Sequence, residues 1–109
     1  DFGSAPFGIT GLATALPALH HHLISPGFLT WEILVERFSS APRRLLGLGI
    51  PVITEDAAVN AVLFDPRTHT TFTPEALKSR SQNTPFLNQT LRGSVVMVLL
   101  GGEIMVDRC

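Results

Sequence analysis

The sequence holds a single cysteine, Cys109, so no disulfide can form within the chain. A reducing, cytoplasmic setting is the simpler reading, and the Asn88-Gln89-Thr90 sequon is then incidental, because glycosylation requires secretion. Charge is also scarce: 16% of residues are Asp, Glu, Lys or Arg, and the net charge is −1. No basic run extends beyond Arg43–Arg44, which excludes the electrostatic footprint of a nucleic-acid binder. Long apolar runs are missing as well. The longest, Val95 to Leu100, is far too short to span a bilayer. The first residues show no charged stretch followed by an apolar one, so no signal peptide is read there. Internal repeats and low-complexity segments are absent.

What remains is apolar. Of the 109 residues, 45% are hydrophobic, which excludes disorder and fits one small domain with a modest core. Residues 9 to about 48 carry a helical period. Leu12, Leu16, Leu19 and Leu23 fall on one face, with Thr10 as the N-cap candidate and Pro17 expected to kink or break the helix. Ser25-Pro26-Gly27 marks a turn. A second helix has Thr30 as its cap, Glu32 in its first turn, a Leu29–Leu34 staple and a Trp31, Leu34, Val35, Phe38 stripe. Ser39-Ser40-Ala41-Pro42 is expected to stop it and open a short third helix that ends at Gly47 or Gly49.

From Ile50 the period changes. Val59 to Phe64 reads as a strand stopped by Asp65-Pro66, and Thr70 to Phe72 as a second short strand. Thr73-Pro74-Glu75 predicts a cap and one helical turn. Ser94 to Leu100, Gly101-Gly102 and Glu103 to Val106 read as a β-hairpin. Its first strand is apolar at every position from Val95, which predicts burial on both faces. Helices first and strands after them give an α+β class. Two amphipathic helices and a two-sided apolar strand need more covering surface than this chain has, so it reads as part of something larger.

Few residues suggest chemistry by spacing alone. His20-His21-His22 would point about 100° apart on a helix and would not converge on one metal; a solvated or interface face is the expectation. Glu55-Asp56 reads as a polar turn, His69 has no partner nearby in sequence, and Cys109 lacks any sign of activation. The loop Pro6-Phe7-Gly8 stands apart. It precedes a helix whose first free N–H groups are expected near Thr10 to Ala13, and a glycine there lets a ligand approach the backbone.

Several segments, in order along nearly the whole chain, resemble dihydroorotases of the amidohydrolase superfamily. "APFGITGLATALP" resembles the family segment APFGxxGLETALP after the last barrel strand. "SSAPRRLLGL", "AVLFDP" and "SRSQNTPF…LRGSVVMVLLGGEIMVD" are similar to the family forms NPAxxxGL, ADLVLFDP and SxNTPFxGxxLxGxVxxTxxxGxxV. Three positions depart: Ala13 stands for the usual Glu, Asn60 for an Asp, and Asn88 for a glycine, where Asn tolerates positive φ best among non-glycine residues.

The resemblance implies a C-terminal portion. Residues 1–49 would be the end of a (β/α)8 metal-dependent hydrolase barrel, and residues 50–109 the C-terminal strands of its flanking β-sandwich. It implies zinc-dependent, reversible hydrolysis of dihydroorotate to N-carbamoyl-aspartate in pyrimidine synthesis, in the cytoplasm. The family's metal ligands and catalytic aspartate fall upstream, and no position here matches them, Asp1 included. The chain alone is therefore expected to be inactive. Phe7 and Gly8 match the family's substrate-contacting Phe-Gly. The implied partners are the small-molecule substrate, the upstream part of the same protein, and a homo-oligomer or aspartate carbamoyltransferase, with no nucleic acid or membrane. Two other readings stay open: a non-catalytic scaffold for aspartate carbamoyltransferase, and another cyclic amidohydrolase such as an allantoinase or dihydropyrimidinase.

Overall fold

A computed structural model describes residues 2–108; Asp1 and Cys109 lie outside the described residues. The chain is an α+β piece with a three-stranded antiparallel sheet ordered β1 (Ala61–Thr71), β2 (Thr90–Leu100), β3 (Glu103–Asp107); short helices precede the sheet and one more lies between β1 and β2. The helices are α1 (Ala15–Leu19), α2 (Trp31–Val35), α3 (Ala41–Leu45) and α4 (Pro74–Leu77).

Pro17 does not interrupt a helix already under way. The chain first makes a turn in which the N–H groups of Thr14 and Ala15 donate to the Gly11 carbonyl, at 3.2 and 2.8 Å. Helix α1 then starts at Ala15 rather than near Thr10. Pro17 therefore falls in the first turn, where backbone amides lack intrahelical acceptors, and its missing N–H costs nothing. A π-helical turn, His20–Ile24, continues α1. The face laid on the sheet is Thr14, Pro17 and His20, all buried, with Ala18 beside them. Of the expected leucine face, Leu12 and Leu23 are exposed. Small and flat side chains face β2, and the leucines are left for other surfaces.

The second helix begins as expected: the Thr30 hydroxyl accepts from the Ile33 N–H at 3.4 Å. It does not stop at Ser39–Pro42. A π-helical turn, Glu36–Ser40, joins α2 to α3 without interruption, and Pro42 lies in the first turn of α3. The wider i→i+5 ladder shifts the hydrogen-bond register ahead of the proline, so the helical path continues. Gly47, at φ 67°, ends it.

Asp65-Pro66 bends a strand instead of ending one. Strand β1 is continuous to Thr71, and Pro66, Arg67 and Thr68 bulge out opposite Gly93, between the pairs Asp65–Ser94 and His69–Arg92. A bulge is the place in a sheet where a residue without an N–H fits. Thr73 caps α4 through the Ala76 N–H, at 3.3 Å. The Gly101-Gly102 turn of the hairpin has φ of 61° and 84°, and the Asn60 side-chain oxygen accepts from the Gly101 N–H at 2.7 Å. Asn88 sits at φ 58°, the left-handed conformation expected of it.

The buried core is small. Phe72, Leu77 and Leu91 form one cluster, with Ala18, Phe86 and Leu87 packed around it. Leu34 is buried, but Trp31, Val35 and Phe38 of its stripe are exposed. Strand residues Val95 to Leu99 are only half-buried, and Val62, Leu63, Ile104 and Met105 on the neighbouring strands are exposed. Two-sided burial of this strand is therefore absent, because the helices laid against β2 leave its Val95–Leu99 stretch only half-covered among the described residues. The radius of gyration is 15.9 Å, against about 13 Å for a compact domain of this length.

Candidate functional site

The loop that opens the chain is held by a segment more than seventy residues away. The Asn83 side-chain amide donates to the Gly8 carbonyl. The Asn83 backbone carbonyl accepts from the Thr10 N–H at 2.9 Å. One asparagine thus grips the loop on both sides of Ile9. The Thr10 N–H is consumed here and is not a free helix-start donor, which corrects the expectation of open N–H groups from Thr10.

Asn83 is itself anchored to the core. It opens the turn Asn83-Thr84-Pro85-Phe86, in which the Thr84 hydroxyl accepts from the Phe86 N–H at 3.3 Å. Phe86 and Leu87 pack on the Phe72, Leu77, Leu91 cluster. The Asn88 N–H donates to the Phe72 carbonyl at 2.8 Å, and the Phe72 N–H to the Gln89 carbonyl at 3.0 Å. A continuous path therefore runs from the core, through this turn, to the loop.

The two candidate binding residues present their surfaces freely. The Phe7 side chain is fully exposed, and nothing lies within 4 Å of a Cβ placed on Gly8. Gly8 has negative φ, so its lack of a side chain matters for approach and not for backbone conformation. A cavity of about 400 Å³ lies nearby between Leu12, Ala13 and Pro17 on one side and Phe72, Leu77 and Val95 on the other. Phe7 and Gly8 do not line it.

The first two residues of the histidine triplet join the helix to the sheet. His20 is buried, its Nδ1 lies 2.8 Å from the Arg92 carbonyl, and its ring stacks on Trp31 and meets Phe64 edge-on. A carbonyl only accepts, so His20 Nδ1 carries the hydrogen. His21 Nδ1 accepts from the Arg92 N–H at 2.9 Å, so that nitrogen carries the lone pair. The Arg92 side chain then reaches the Pro66 carbonyl at 3.1 Å and the Ser25 hydroxyl at 3.4 Å. His22 stacks on Phe86. The solvated or interface face expected for the triplet holds for His22, which is exposed, while His20 is buried and His21 half-buried against β2; the helix-to-sheet junction turns on Arg92, whose importance no local pattern announced. His69 is exposed on β1 opposite Arg92, and Glu55-Asp56 forms an exposed turn.

Among the described residues, no group of three or more His, Cys, Asp or Glu could hold a metal ion. The ring nitrogens of His20 and His21 that face Arg92 are already in use, so the residues present do not fit a zinc site. No helix among the described residues is long and apolar enough to cross a membrane. The carboxyls with a shifted affinity for protons belong to caps and turns. Glu32 is held below the usual carboxylate range by its own backbone N–H and then by the Thr30 hydroxyl, and Glu75 by its own N–H and then by Thr73. The Arg67 N–H, at 2.8 Å, does the same for Asp65.

No family model matches the chain. Curated relatives do. The chain is 36% identical over 105 residues, 96% of its length, to the dihydroorotase of Trichlorobacter lovleyi. It is 35% identical over 108 residues, 99% of its length, to that of Pelobacter propionicus, and 32% over 105 residues to that of Bacillus caldolyticus. The chain spans about a quarter of the length of these relatives, 24% or 25% of each. The matched part is their C-terminal quarter.

Proposed function

We propose that this chain is the C-terminal quarter of a dihydroorotase, a hydrolase that interconverts dihydroorotate and N-carbamoyl-aspartate in the cytoplasm. The similarity to dihydroorotases along nearly the whole chain carries this reading. The expanded shape and the uncovered apolar surfaces support it, because they suit a part whose covering layers lie elsewhere in the protein. In this reading residues 1–49 end the barrel and residues 50–109 supply strands of the flanking sandwich.

The role of this chain is to bind and shape, not to carry out the chemistry. Phe7 offers an apolar face, and Gly8 an open stretch of backbone, as one wall of the substrate site. Zinc and the residues that hold it belong to the upstream portion.

Turnover of dihydroorotate tests the proposal. The complete protein should hydrolyse it, and the 109-residue chain should not, even with zinc added. A complete, folded protein that is inert towards dihydroorotate would overturn the enzyme reading in favour of a scaffold. Turnover by the chain alone would overturn the placement of the catalytic residues.

A further inference from the structure

We infer that Asn83 is a positioning residue for the substrate loop: it clamps Gly8 and Thr10 and so sets which backbone groups of that loop are offered to a ligand. This rests on the reading of Phe7 and Gly8 as a substrate wall. The geometry is specific. Of Asn83's polar groups, the side-chain N–H takes the Gly8 carbonyl and the backbone carbonyl takes the Thr10 N–H, so the loop is held on both sides of Ile9. The Asn83 N–H is in turn fixed by the Ser81 hydroxyl at 3.2 Å.

The clamp gives the loop a polarity. With one lone pair of its carbonyl engaged by Asn83, Gly8 offers a ligand less of that acceptor. Among the described residues no hydrogen bond reaches the N–H of Phe7 or Gly8. The loop therefore presents backbone donors, which suit an oxygen acceptor on the ligand, such as a carboxylate or an amide carbonyl. Without the Asn83 side chain, the Gly8 carbonyl would be released, and the peptide planes on either side of it could rotate and carry those donors out of line. Asn83 is exposed and outside the core cluster, so its truncation should leave the fold intact.

The test is made in the complete protein with Asn83→Ala, Asn83→Asp and Gly8→Val. The aspartate keeps the shape but replaces the donor with an acceptor that repels the Gly8 carbonyl. Both Asn83 variants should raise KM for dihydroorotate by roughly 2- to 10-fold, the range of one hydrogen bond, with kcat and the melting temperature nearly unchanged. Gly8→Val should also raise KM, by placing a side chain where the ligand approaches. If Gly8→Val raises KM and the Asn83 variants do not, the clamp is not a positioning device and the substrate wall stands. If the Asn83 variants lower only the melting temperature, their role is structural and the inference fails. If all three leave KM unchanged, the substrate-wall reading itself falls and takes this inference with it.

Discussion

Gly93 offers the sharpest test of how the sheet and the first helix fit together. It lies in β2 opposite the Pro66–Thr68 bulge, with φ 105°. A Cβ added there would stand 2.8 Å from Phe64 Cε1 and 2.9 Å from His20 Nδ1, and closer still to Phe64 Cζ. Gly93→Ala therefore brings two costs. The backbone lies in a region that L-residues rarely adopt, which costs about 1–3 kcal/mol. The clash falls on rings packed in a three-way contact with Trp31, and overpacking of this kind costs a further 1–3 kcal/mol or so. Together they approach the lower end of the roughly 5–15 kcal/mol that holds a domain folded. Gly101→Ala is the control. Its φ of 61° is left-handed, but nothing lies within 4 Å of the added carbon, so only about 1–2 kcal/mol is expected. Urea unfolding followed by the fluorescence of Trp31, which stacks on His20 with ring centroids 5.6 Å apart, reads both variants. Gly93→Ala should lose several times more stability than Gly101→Ala. Equal midpoints for the two would refute the close packing of Phe64 and His20 over Gly93.

Three further outcomes follow from the same structure. Glu32, Glu75 and Asp65 bind protons less readily folded than unfolded, so their contribution to stability is present above the unfolded carboxyl range of roughly pH 4 and is lost as pH falls through the lower folded values. Acid titration of the melting temperature should therefore show a level region near neutrality and a decline below about pH 4, and a decline beginning above pH 6 would contradict it. Thr73→Ala removes the hydroxyl that accepts from Ala76 N–H and should cost about 0.5–2 kcal/mol in chemical denaturation, with no loss meaning that the α4 cap contributes nothing. Sedimentation of the chain alone at micromolar concentration should show self-association through the exposed Trp31, Val35 and Phe38 and the uncovered sheet, because exposed apolar patches of this kind mark interaction surfaces. A compact, cooperatively melting monomer would show instead that the 109 residues suffice by themselves.

The sequence by itself determined what short-range chemistry controls. The Thr30 and Thr73 caps, the Gly101-Gly102 hairpin, the Gly47 stop and the left-handed Asn88 are each specified by a residue whose side chain or missing Cβ acts within a few positions. The resemblance to dihydroorotases was legible in the same way, as motifs in order. Tertiary structure decided what depends on partners far along the chain. A proline reads locally as a breaker, yet Pro17 sits in a first turn and Pro66 in a bulge, because the helix start and the β1–β2 register were set elsewhere, whereas Pro42 sits in the first turn of α3 as its sequence predicts. The leucine face of α1 was plain in sequence, but the sheet took the opposite choice of Thr14, Pro17 and His20, since packing selects for shape against β2 as well as for hydrophobicity. The same holds for the candidate site. Phe7 and Gly8 could be singled out from a motif, whereas Asn83 could not be joined to them, because a hydrogen bond across seventy-five positions leaves no mark in local spacing.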